Sequence, residues 1–133
     1  MPRVIFLTLF VLILSGPAAA EDCANAETQT ALDECADQEF KAADAALNKA
    51  YKSIAKRLAD DQDTRKLFVT AQKAWIEFRD AECEFSTSAA SDGSIYAMLY
   101  SNCLAGLSKK RTADFQRYLS CEEGDLGCPV PPQ

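Results

Sequence analysis

Two short runs of this sequence place polar and aromatic side chains at helical-neighbour spacings. The chemistry they offer is pairing and packing rather than bond-breaking. In the first run Asp44, Leu47, Asn48 and Tyr51 fall three and four residues apart. On a helix Leu47 and Tyr51 would face a core, while Asp44 and Asn48 stack one turn apart on an adjoining strip. In the second, Gln72, Trp75, Arg79 and Cys83 recur at spacings of three and four, with Phe78 and Asp80 beside them. Trp75 and Phe78 are expected to supply large buried area. The planar guanidinium of Arg79 is expected to pair with a carboxylate across a helix interface, and Asp44 is the first candidate. A network of Asp, Asn, Gln and Arg beside one Trp is costly unless every member is satisfied, and then it specifies one arrangement of helices. We read the set as packing and register devices.

Other chemistry is poorly provided for. The chain contains no His, which removes Ser-His-Asp and Cys-His catalysis. No Gly-rich phosphate loop occurs. Glu82 with Glu84, and Asp60 with Asp61, read as a solvated helix end and an inter-helix turn rather than a hydrolytic pair. The protein is therefore expected not to be an enzyme and to hold no cofactor. No metal is expected either, because no cysteines show the close C-x-x-C spacing of zinc sites. The six cysteines, Cys23, Cys35, Cys83, Cys103, Cys121 and Cys128, read instead as a disulfide framework, although their number alone leaves several pairings open.

Three amphipathic stretches must position these residues. The first, at about 30–58, carries Ala36, Phe40, Ala43, Leu47, Tyr51, Ile54 and Leu58 as one apolar stripe. The second, at about 64–85, has Leu67, Ala71, Ala74, Phe78, Ala81 and Phe85 as its stripe, widened by Phe68 and Trp75. Asp63 is its expected N-cap. The third, at about 95–119, carries Ile95, Leu99, Leu104, Leu107, Phe115, Tyr118 and Leu119, with Gly106 as a weak point. Short connections imply antiparallel neighbours, hence an all-α helical hairpin or three-helix bundle. On that plan a Cys83–Cys103 bridge clamps the hairpin around the 86–94 loop. Cys121 and Cys128 close a local loop, and Cys23 is left with Cys35. The tail is expected to be a tethered loop followed by a frayed end.

The beginning of the chain has the anatomy of a secretory leader. Arg3 precedes an apolar run, Val4 to Leu14, interrupted only by Thr8. Ser15-Gly16-Pro17 breaks the run, and Ala18-Ala19-Ala20 offers a cleavage site. The expected organisation is a signal peptide at 1–20, a helical domain at 21–120 and a disulfide-looped tail at 121–133. The run is short for a membrane span. Glu21 and Asp22 separate the cleavage site from Cys23, so no stable anchor is expected after cleavage. The expected location is periplasmic or secreted. Loss of Arg3 with the leader takes 14 basic residues to 13 against 20 acidic ones, a net charge of −7. Such a field favours cationic partners and disfavours nucleic acid and anionic membrane.

A family resemblance runs through the same residues. Cys23 and Cys35 come first. D-x-x-L-N-x-x-Y follows at 44–51, and Q-x-x-W-x-x-F-R-D-x-x-C at 72–83. Cys103 and Leu107 to Arg111 complete the order, with Ser108 where Thr commonly follows the Leu. This order resembles the LprI-like lysozyme-inhibitor domain family. The resemblance implies inhibition of c-type lysozyme, or of another cationic cell-wall hydrolase, by an exported protein. The exposed loop Ser86, Ser88, Ser91, Asp92, Gly93 and Ser94 is the expected partner contact, chosen for its length, its small residues and its disulfide clamp. The alternative is an envelope protein-interaction module without hydrolase inhibition.

Overall fold

The computed structural model describes residues 23–132. The expected leader and its cleavage site lie outside them.

Thr28 starts the first helix, α1 (Gln29–Arg57): its hydroxyl accepts from the Ala31 N–H at 3.2 Å. That satisfies one of the donors a helix start leaves open. Nothing in α1 interrupts it, since Ala is frequent and Gly and Pro are absent. A short turn then leads to Asp61, whose carboxylate accepts from the Thr64 N–H at 3.0 Å and caps α2 (Gln62–Thr87). Hydrogen bonds from Thr64 hold the Asp61 carboxyl below its ordinary pKa of 3.8. The cap is thus Asp61, not the expected Asp63. Asp63 sits inside the first turn, where it lies 3.7 Å from Lys66 and its charge suits the helix N-terminus. The helix also ends later than expected. The Thr87 hydroxyl donates to the Cys83 carbonyl at 2.6 Å, and α2 runs on to Thr87 before one 3-10 turn, Ser88–Ala90. The third helix, α3, spans Tyr96–Leu119.

The three rods alternate in direction. Tyr51 of α1 stacks on Phe68 of α2 at 4.9 Å between ring centroids, while Cys83 of α2 is bonded to Cys103 of α3. The helices α1 and α3 are therefore parallel. Lys109 accordingly pairs with Glu39, and Arg57 donates to the Leu119 carbonyl at 2.8 Å, capping the end of α3. The closest approach is between α1 and α3, where the buried positions are small: Ala36, Ala43 and Ala50 on α1, Ala105 and Ser108 on α3. Backbones come close where side chains are short. The helix α2 docks through larger groups, Phe68, Trp75 and Arg79. Leu47, Ile54, Leu58 and Phe115 form the centre of the core. The bundle is all-α, with disulfides Cys23–Cys35, Cys83–Cys103 and Cys121–Cys128, the expected pairing. No helix among the described residues is long and apolar enough to cross a membrane.

Two further expectations fail. The stripe assigned to the second helix faces solvent: Leu67 is 71% exposed, Phe78 54% and Phe85 75%. Its buried line is Gln72, Arg79, Cys83 and Thr87, with Phe68 and Trp75 half-buried beside it. At 100° per residue this is a rotation of about 140° from the expected face. The cause is that Cys83 must meet Cys103. The face that carries Cys83 also carries two large aromatic rings, whereas half of the expected stripe is alanine. The tail is not frayed either. Cys121–Cys128 and Gly124, at φ 88°, turn the chain back. Val130, 3% exposed, then packs into the core with Leu47, Ile54, Leu58 and Phe115.

Gly106 lies inside α3, and a Cβ added there would meet nothing within 4 Å. Gly106→Ala should therefore raise stability by about 1 kcal/mol, read as a higher urea midpoint at unchanged slope.

Candidate functional site

The residues singled out by spacing gather around two guanidinium groups. Arg79, 9% exposed overall, lies 5.5 Å from the Phe40 ring centroid and 5.4 Å from that of Trp75. Arg111 follows, 5.8 Å from Trp75 and 4.7 Å from Phe115. Aromatic rings and cations thus alternate through the bundle as Phe40, Arg79, Trp75, Arg111 and Phe115. The negative face of each ring attracts the neighbouring cation, more strongly where water is excluded. Arg79 sits 3.5 Å from Asp44 of α1 and 2.8 Å from Asp80 on its own helix. Asn48 donates to Asp44 at 2.7 Å, and Arg111 donates to Gln72 at 3.2 Å. One fork therefore ties α2 to α1, and the other ties α3 to α2. Charged groups held this way resist sliding or rotation of one helix against the next.

Eight of the nine positions join this assembly or the core behind it. Asp44, Asn48, Arg79 and Asp80 form the ionic cluster, and Gln72 and Trp75 bridge to α3. Leu47 is 2% exposed in the core. Tyr51 stacks on Phe68 at the edge of that core. Phe78 does not join: it points to solvent, contrary to the large burial expected of it. Arg111 was not singled out by spacing, although its place four residues before Phe115 is a readable signal.

The expected partner loop lies at one end of the bundle. Ser88, Ser91, Asp92, Gly93 and Ser94 are exposed between α2 and α3. Ser86 is instead in the last turn of α2, because the helix continues past it. The Cys83–Cys103 bridge, with Cα atoms 5.7 Å apart, closes the base of the loop. Gly93 donates to the Ala90 carbonyl at 2.8 Å and accepts from Tyr96 N–H at 3.2 Å, which shapes the connection. Directly after it Tyr96 and Tyr100 stack at 5.8 Å. Burial first, and then the charges of Asp80 and Glu84, push the Tyr100 phenol above its ordinary pKa. Loop, tyrosines and acids thus share one end. At the other end an apolar groove of about 260 Å³ is lined by Leu58, Leu67, Phe68, Arg111, Tyr118 and Val130.

Fold and site together define a class of protein: a small all-α domain, stapled by three disulfides, whose buried charges hold its helices in register. Within that class the chain belongs to the LprI lysozyme-inhibitor family. The family model described as Lysozyme inhibitor LprI matches residues 19–115. That span takes in α1, α2 and most of α3, and stops before the Cys121–Cys128 loop and Val130. Uncharacterized protein R02472 of Rhizobium meliloti (strain 1021) is 37% identical over 128 residues, covering 85% of this chain and 92% of its own. No solved structure matches. Membership supports a lysozyme-inhibitor-like role in general, and the family is one of inhibitors rather than hydrolases.

Proposed function

We propose that the protein is exported to the periplasm or beyond and inhibits a cationic c-type lysozyme, or a similarly charged cell-wall hydrolase, by binding it. The observation that carries this reading is the family match over residues 19–115. Charge supports it. A body of net charge −7 after loss of Arg3 steers a basic enzyme toward itself. The proposed contact is the loop from Ser88 to Ser94 with the last turn of α2 at Ser86. It is exposed, stands on a disulfide-clamped base, and lies beside Tyr96, Asp80 and Glu84. Tyrosine and acidic groups at a rim suit a partner with basic surface.

The test is a titration of the oxidised protein against c-type lysozyme, following lysis of a wall suspension. Inhibition is expected, and its onset should slow markedly between low and physiological salt, because exposed charges are screened over about 8–10 Å. Shortening Ser88–Ser94 should weaken inhibition at least tenfold while the melting curve stays in place. Unchanged inhibition would remove the loop from the account. Absence of both binding and inhibition would favour an envelope interaction module with another target.

A further inference from the structure

The stripe that α2 turns to solvent is patterned as an interface. Leu67, Ala71, Ala74, Phe78, Ala81 and Phe85 recur at spacings of four, three, four, three and four. This is the a/d repeat by which one helix packs lengthwise on another. All six are exposed, with Leu67 at 71%, Phe78 at 54% and Phe85 at 75%. From Leu67 to Phe85 the stripe spans 19 residues, about 27 Å of helix. Singly exposed apolar residues are ordinary, but a continuous row of this length marks a contact surface. The protein's own core makes no use of it, because α2 is buried along the line through Gln72, Arg79 and Cys83.

We propose that this face pairs with the same face of a second copy, the two α2 helices running antiparallel. Two observations select that occupant. The first is shape. In an antiparallel heptad seam each a position meets a d position. A two-fold axis beside Ile76 then sets Phe78 against the partner subunit's Ala74, Ala71 against the partner subunit's Ala81, and Leu67 against the partner subunit's Phe85. Large side chains meet small ones at the centre, and the ends are closed by one large pair each. The second is charge. Lys66 and Lys73 stand along the N-terminal half of the stripe, and Glu77, Glu82 and Glu84 along the C-terminal half. Antiparallel pairing lays the basic half of one copy along the acidic half of the other, whereas parallel pairing lays acid against acid. The two Ser88–Ser94 loops then lie at opposite ends of the pair. This assembly does not depend on what the loops bind.

The test is sedimentation of the oxidised full protein from low to high micromolar concentration. A dimer that dissociates on dilution is expected. Phe78→Glu and Phe85→Glu, both at exposed positions, should each raise the dissociation constant at least ~100-fold, since each removes two buried rings per dimer. Their far-UV spectra and melting curves should match the parent. Zero-length cross-linking should join Lys66 of one copy to Glu84 of the other. Within one chain these residues are about 27 Å apart along α2, so an internal link is excluded. A monomer at every concentration, a dimer indifferent to both substitutions, or a dimer without that cross-link would each overturn the proposal.

Discussion

Reduction of the three disulfides should unfold this protein at ambient temperature. The bridges close sequence separations of 12, 20 and 7 residues. By the chain-entropy relation each contributes roughly 2–3 kcal/mol, about 8 kcal/mol together. The whole stability of a domain this size is about 5–15 kcal/mol, so the reduced chain should retain little or none. The Cys83–Cys103 bridge should matter most. It closes the longest loop, Cys83 is 0% exposed, and it sets the rotation of α2. Thermal melting by circular dichroism, with and without reductant, measures the effect. A reduced protein melting within a few degrees of the oxidised one would show that helix packing alone suffices. The bridges also set where the protein can work, since its stability is available only in an oxidising compartment.

Removal of a single side chain should have its largest effect at Arg79. Arg79→Ala takes away the guanidinium between the Phe40 and Trp75 rings and leaves a gap beside both. The expected cost is about 3 kcal/mol, from lost packing and from the broken partly buried pair. Arg79→Lys should recover less than half of it, because an ammonium cannot reach two carboxylates and stack between two rings at once. Asp44→Ala should cost at most about 1 kcal/mol, because the Asp44 side chain is 40% exposed and such pairs are screened. Urea titrations of the three variants provide the comparison. Equal losses at Arg79 and Asp44 would mean that the ion pair, not the stacked cation, holds the helices.

Legibility varied along the chain for physical reasons. The period of α1 was sound: Ala36, Ala43, Leu47, Ile54 and Leu58 are all buried, because an Ala- and Leu-rich stripe there meets α3 directly. In α2 the same counting led to the wrong face. It weights alanines as core and leaves Gln72 and Arg79, placed across a helix interface by their own spacing, off the apolar stripe. Here a cysteine bridged to α3 and two broad rings outweigh three alanines. Cys83 itself was the available clue, since the face of a bridged cysteine must turn inward. Of the polar constellation, the Arg79–Asp44 contact followed from helical spacing and fork geometry alone. The outward turn of Phe78 did not, because it depends on the rotation of the whole helix. Val130 was illegible: one apolar residue among three prolines has no period, and only the reversal at Gly124 brings it to Phe115.

The connectivity of the sulfur atoms has a consequence for biogenesis. Each cysteine is joined to the next one in the chain, so no bridge straddles or encloses another. A polypeptide threaded N-terminus first into an oxidising space offers its thiols in matching order, and pairing each newcomer with its waiting predecessor yields the native set. Maturation can therefore proceed with an oxidase alone, without an isomerase to undo mispaired intermediates.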